Sequence, residues 1–229
     1  MTDGSTGAPR GRGRLLVAAV AVVALLLGAA GGYVIGALAP FAPDSTPSST
    51  SAEAGFARDM QVHHLQGAEL ALIAHERSTD SEVLTVSKDI LLTQQQQAGQ
   101  LFGWLVSWGL PQASPEPSMT LMGRPTLEGA ADEHSSMGMG TEQGVVPSSM
   151  PGLATPEQIA ELTAASGRDL DRRVLELMIA HHRGAIDMAE ALLSRSRDRV
   201  ATDFATSVVK AQEAEISLME QMLEDRPAE

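Results

Sequence analysis

Two stretches of the chain carry side chains able to hold a metal ion. One is Met178-Ile179-Ala180-His181-His182, followed by Arg183, Gly184, Ala185, Ile186, Asp187 and Met188. The other is Met60-Gln61-Val62-His63-His64. Moved forward by 118 positions, the second falls on the first without a gap, and Arg77, Ser78, Asp80, Gln94 and Leu105 fall on Arg195, Ser196, Asp198, Gln212 and Leu223. A matched pair of Met-x-x-His-His motifs in one register marks an internal duplication. Neutral imidazoles with thioethers suit copper in either oxidation state better than magnesium or calcium. The candidate ligands are His63, His64, His181, His182, Met60, Met178, Met188 and Glu215, with zinc and iron as alternatives to a copper ion. Met188 matches only Leu70, which also suits core packing. His64 and His182 are expected to assist by orienting the ligands or donating to carboxylates. Gln97 stands where Glu215 stands in the second copy.

These residues need helices to position them. Phe56, Met60, His63, Gly67, Leu70 and Ala74 recur at spacings of four and three, the seam of a bundle helix. Val174, Met178, His181, Ala185, Met188 and Leu192 form its counterpart. The pattern predicts four long helices, over about 53–77, 81–108, 168–194 and 199–224. Ser78-Thr79-Asp80-Ser81 and Arg195-Ser196-Arg197-Asp198 are the hairpin turns. Thr155-Pro156-Glu157-Gln158 opens a short additional helix with Thr as N-cap and Pro first. Two duplicated hairpins make an all-α four-helix bundle with approximate two-fold symmetry. Gln94 and Gln212 form a matched polar pair on otherwise apolar faces, and a histidine N–H is the partner expected for each buried amide.

The remaining segments set the surroundings. Residues 1–14 carry Arg10, Arg12 and Arg14, and no charge occurs from Leu15 to Ala39. That length crosses a bilayer, and the flanking charges put the N-terminus in the cytoplasm. The expected organisation is a basic tail at 1–14, a transmembrane anchor or signal sequence at 15–39, a flexible stalk at 40–52 and a bundle domain at 53–225. The bundle then lies outside the cytoplasm, anchored by a single pass, or is secreted if the segment is cleaved. A Gly/Pro/Ser/Met-rich crossover at 109–154 joins the hairpins. It carries Met119, Met122, His134, Met137, Met139 and Met150, which could bind Cu(I), although a disordered linker is the plainer reading.

Composition closes off other functions. The net charge of -13 argues against nucleic acid. The absence of cysteine excludes disulfides, thiolate metal sites and a cysteine nucleophile. No Glu-x-x-His surrounds the matched histidines, which counts against a di-iron oxygen-activating centre. The sequence names no protein partner.

The spaced residues Phe56, Met60, His63, His64 and Ala71, and Val174, Met178, Ile179, His181, His182, Gly184, Ala185, Ile186, Met188 and Ala189, resemble the signature of the bacterial domain-of-unknown-function family 305. So do Gln94 through Trp104-Leu105 and Gln212-x-x-Glu215-Ile216-x-x-Met219. The resemblance covers about 53–108 and 155–224. It implies a ferritin-like four-helix bundle, exported or membrane-anchored, in a family where some members are implicated in copper binding and tolerance. The chain departs from the pattern at Gln97, Met222, Val174 and Ala180. The expected function is extracytoplasmic copper binding or sequestration, a binding role more than an enzymatic one. A metal-dependent oxidase on the same bundle and a non-metal structural or interaction module of the cell envelope are the rivals.

Overall fold

A computed structural model describes residues 46–127 and 149–227. The N-terminal tail and anchor, stalk residues 40–45 and the loop residues His134, Met137 and Met139 lie outside the described residues. Among the described residues, no helix is long and apolar enough to cross a membrane.

The described chain is helical, with no strand. Helix α1 spans Ala52–Arg77, α2 Ser81–Ser107, α3 Pro156–Ala164, α4 Gly167–Leu193 and α5 Arg199–Glu224. Each begins where the sequence supplies a cap or a turn. Ser51 accepts from Ala54 N, Asp80 from Glu82 N and Val83 N, and Asp198 from Ala201 N. These side-chain oxygens satisfy amides that have no partner within the helix. Thr155 and Gln158 form a reciprocal capping box at α3. Gly167 opens α4 at φ 55, a left-handed conformation that suits glycine.

Helices α1 and α2 pack as one hairpin and α4 and α5 as the other, and α1 joins α4 across the middle. The duplication reappears as a pair of matching clasps. Ser78 Oγ accepts from Asp80 N at 3.0 Å and donates to Asp171 Oδ1 at 2.6 Å. Ser196 Oγ accepts from Asp198 N at 3.0 Å and donates to Glu53 Oε1. Glu53 and Asp171 are themselves duplicates. Each hairpin turn is thus held by a carboxylate at the start of the other half's first helix.

The interior divides into two apolar clusters. One gathers Phe56, Met60, Leu101, Leu105, Met188, Leu192, Phe204 and Val208. The other gathers Leu70, Ala74, Val83, Ile90, Leu170, Val174, Met178 and Met219. Burying a Leu, Phe or Met fully contributes about 1.5–3 kcal/mol relative to leaving it in water. Each long helix contributes to both clusters, so the polar residues midway along each form a layer between them.

The first part of the crossover is ordered, against the expectation of a plain linker. The Arg58 guanidinium donates to Pro111 O at 2.9 and 3.0 Å and to Ser49 O at 2.8 Å. Asp59 Oδ2 accepts from Met119 N at 2.8 Å. A one-turn 3₁₀ helix, Thr120–Gly123, follows. Met119 and Leu121 are buried in the first apolar cluster, and Met122 and Met150 pack against it. Met119 therefore serves the core and is not a free thioether on a mobile loop.

Candidate metal centre

The polar layer consists of His63 and His64 from α1, Gln94 from α2, His181 and His182 from α4 and Gln212 from α5. All four histidines are fully buried, and both glutamines are nearly so. The His63 and His181 rings lie against each other, with centroids 3.9 Å apart and planes inclined at 36°. Such an approach needs a small residue beside it. A Cβ at Gly67 would lie 2.6 Å from His181 Cε1 and 2.9 Å from Gln94 Oε1, so only glycine fits there.

Three of the histidines have one ring nitrogen engaged. His63 Nε2 lies 2.9 Å from Pro151 O, His181 Nε2 lies 2.8 Å from His63 O, and His182 Nε2 lies 2.5 Å from Glu215 Oε2. All three partners only accept, so Nε2 carries the proton in each case. In the neutral ring, Nδ1 is then a bare lone pair. The Nδ1 atoms of His63, His181 and His182 are buried with no hydrogen-bond partner. Neither nitrogen of His64 makes a hydrogen bond of normal geometry, and the side chain that interacts with its ring is Gln94. The difference between His64 and His182 follows from the broken duplication, since Gln97 stands where His182's partner Glu215 stands in the other half.

The His63, His64 and His181 rings are held neutral. Burial pushes His64 down from 6.5 to about 3, and the His181 and His182 rings beside it push in the same direction. Burial likewise lowers His181 to about 4, against the upward pull of its bond to the His63 carbonyl. His63 is held well below 6.5, first by burial and then by His181.

The glutamines meet the expectation from the sequence in part: the Gln94 side chain pairs with the His64 ring, and no histidine partner is shown for Gln212. No hydrogen bond of normal geometry reaches Gln94 Oε1 or Gln212 Oε1. Gln94 lies near His64, and its influence on that ring is smaller than that of burial and the neighbouring imidazoles. The two amide oxygens add to the unpartnered lone pairs of the histidines. A buried polar layer with acceptors in excess of donors is costly unless something electropositive shares it.

The methionines separate. Met60 and Met188 belong to the first apolar cluster, while Met178 belongs to the second. Helices α1 and α4 meet at their histidines, so the residue one turn before each motif falls on the opposite side of the layer. Glu215 is half-buried and reaches the layer only through His182. Glu69, Asp187 and Glu190 are exposed. Among the described residues, no group of three or more His, Cys, Asp or Glu side chains is arranged to hold a metal ion. Any ion in this layer would therefore draw on imidazole nitrogens together with thioether or amide donors.

Sequence reasoning missed the segment that covers the layer. Pro151 and Gly152 form a turn whose carbonyl binds His63. Gln66, one turn beyond His63, pairs with Ala154 twice: Gln66 Nε2 donates to Ala154 O at 2.9 Å, and Ala154 N donates to Gln66 Oε1 at 2.7 Å. The signal was present as Pro-Gly, which favours a turn with φ above zero at its glycine. Gly152 has φ 72.

The family described as domain of unknown function DUF305 matches residues 53–223. The chain belongs to the DUF305 family. Among solved structures, a DUF305 protein from Streptomyces coelicolor, described as a candidate secreted protein, is 37% identical with a TM-score of 0.67. The alignment covers 80% of this chain and 98% of that one. A DUF305 fragment from Deinococcus radiodurans is 27% identical, with a TM-score of 0.59 over 78% of this chain and 99% of that one. CopM in its Cu(I)-bound form shares the fold at 19% identity, with a TM-score of 0.52 over 76% of this chain and 96% of that one. No curated protein matches the chain significantly.

Proposed function

We propose that this DUF305 protein binds copper in the polar layer of its bundle and sequesters it outside the cytoplasm. One observation carries the reading. His63, His181 and His182 each donate Nε2–H to a carbonyl or carboxylate and leave Nδ1 as a buried, unpartnered lone pair. That arrangement is the usual support for a metal-ligating histidine, whose other nitrogen is fixed by just such an acceptor. Of the candidate ligands, His63 and His181 are the principal pair, and His64 and His182 assist. Met60, Met178 and Met188 border the layer from the two apolar clusters. Glu215 acts through His182. Imidazole and thioether donors in apolar surroundings favour a soft ion such as Cu(I). The same fold in CopM, solved with Cu(I) and with Cu(II), supports copper over zinc or iron. Export is supported by the description of the Streptomyces relative and by the basic, then uncharged, N-terminal sequence.

The test is a metal titration of the full chain with Cu(I), Cu(II), Zn(II) and Fe(II), beside a variant with His63, His64, His181 and His182 replaced by Ala and its helicity checked. Tight copper binding abolished in the folded variant is the expected result. Retention of stoichiometric binding in that variant would sink the proposal.

A further inference from the structure

The histidine layer is sealed on one side by the turn Met150–Ala154, and the seal is built from positions where the duplication has been broken. Gln66 and Gly184 are duplicates by register, yet they do opposite things. Gln66 grips Ala154 through both polar atoms of its side-chain amide, Nε2 donating to Ala154 O and Oε1 accepting from Ala154 N. Gly184 leaves a notch, since a Cβ there would lie 2.0 Å from Pro151 O and 2.4 Å from Pro151 C. Gly152 completes the fit from the other direction, because its own Cβ would lie 2.1 Å from Ala180 O. The turn also spans the two halves of the core: Met150 packs against the first cluster, and Ala154 belongs to the second.

Full burial of all four histidines means that an ion reaches them only if something opens. Separating α1 from α4 would expose both apolar clusters. Lifting the turn breaks three hydrogen bonds, from His63 and with Gln66, and withdraws a partly buried methionine. Local opening follows the weaker route.

We propose that Met150–Ala154 is a removable cover over the histidine layer, and that Gln66 is the positioning residue that keeps it shut. The cover also fixes the His63 proton on Nε2, so the lone pair facing the layer is the Nδ1 one. This inference rests on the metal reading only for what the access serves; access itself is measurable without metal.

The experiment compares the full chain with Gln66→Ala and Gly184→Ala, which loosen the cover from opposite helices and change no histidine. Each protein, metal-free and well below its melting temperature, is treated with diethyl pyrocarbonate, and acylation of each imidazole is followed by mass spectrometry. Both variants are expected to acylate His63 and His181 at least tenfold faster than wild type. Gln66→Glu, which keeps the acceptor for Ala154 N and loses the donor, should fall between. Ser78→Ala, destabilised far from the turn, should stay at the wild-type rate. In a second arm, Cu(I) release to a chromophoric chelator should accelerate by a similar factor. Folded variants that acylate at the wild-type rate overturn the proposal, as does faster acylation with unchanged copper release. If wild type binds no copper, the copper reading falls, and the acylation arm alone decides whether the turn is a cover.

Discussion

His181 donates its Nε2–H to the backbone carbonyl of His63, the residue 118 positions earlier and its own duplicate. The reverse bond is not made. His63 turns instead to Pro151. A symmetric pair would leave the two rings equivalent, whereas here one is anchored to its twin's backbone and the other to the covering turn. The unpartnered nitrogens are consequently in different surroundings despite the matching motifs.

The metal-free protein should lose stability in mild acid. His64 and His181 are held at about 3 and about 4, against 6.5 in the unfolded chain. Between those values the unfolded chain takes up protons that the folded one refuses. Stability from this source is complete above pH 6.5 and is lost as pH falls toward 4. The slope approaches about 1.4 kcal/mol per pH unit for each such histidine. Thermal melts from pH 8 to pH 4 check it, and a melting temperature flat over that range would show that the layer is hydrated.

Gly67→Ala should damage the layer without replacing a candidate ligand. The added methyl meets His181 Cε1 at 2.6 Å and Gln94 at 2.9 Å. Overpacking of this kind costs about 1–3 kcal/mol. Urea denaturation should register that loss, and copper affinity should drop as well because the paired rings must shift. Wild-type affinity in this variant would mean that the paired-ring geometry is not the binding geometry.

Glu215→Gln should weaken metal binding more than folding. The carboxylate accepts from His182 Nε2–H and so fixes the orientation of the ring. Removing such a partner usually lowers metal affinity about 10–100-fold. A competition titration against a chelator of known affinity measures the change. Gln97→Glu, which restores the carboxylate that His64 lacks by register, should shift affinity in the opposite direction.

The reciprocal clasps can be weighed by mutation. Ser78→Ala leaves the buried Asp171 carboxylate without its donor. An unpaired buried acceptor costs about 1–3 kcal/mol. Ser196→Ala should cost a similar amount through Glu53, and the double mutant should be additive because the clasps lie at opposite ends of the halves. Equilibrium unfolding of the four proteins completes the cycle, with strong non-additivity counting against independent clasps.

Much of this architecture was legible in the sequence. The four long helices fall within about two residues of their expected ends because caps such as Asp80 and Asp198 and the repeated seam mark them locally. The inward histidines were legible because both copies of the motif place His63 and His181 on an apolar seam that must face the core. The separation of Met60 from Met178 was not, since it depends on α1 and α4 crossing at the histidines, a non-local fact. The ordered stretch through Met119 and the turn at Pro151 were hidden for a related reason. Their order comes from bonds to Arg58, Asp59, His63 and Gln66, far away in the chain, while their own composition reads as a linker.

The clasps at Ser78 and Ser196 have a consequence for assembly. Each hairpin closes its turn with a carboxylate borrowed from the other, so neither is complete alone. Nothing in that exchange identifies which polypeptide supplies the borrowed group. Two chains brought together at high concentration can satisfy the same bonds by trading hairpins, and a swapped dimer built this way would contain two intact bundles.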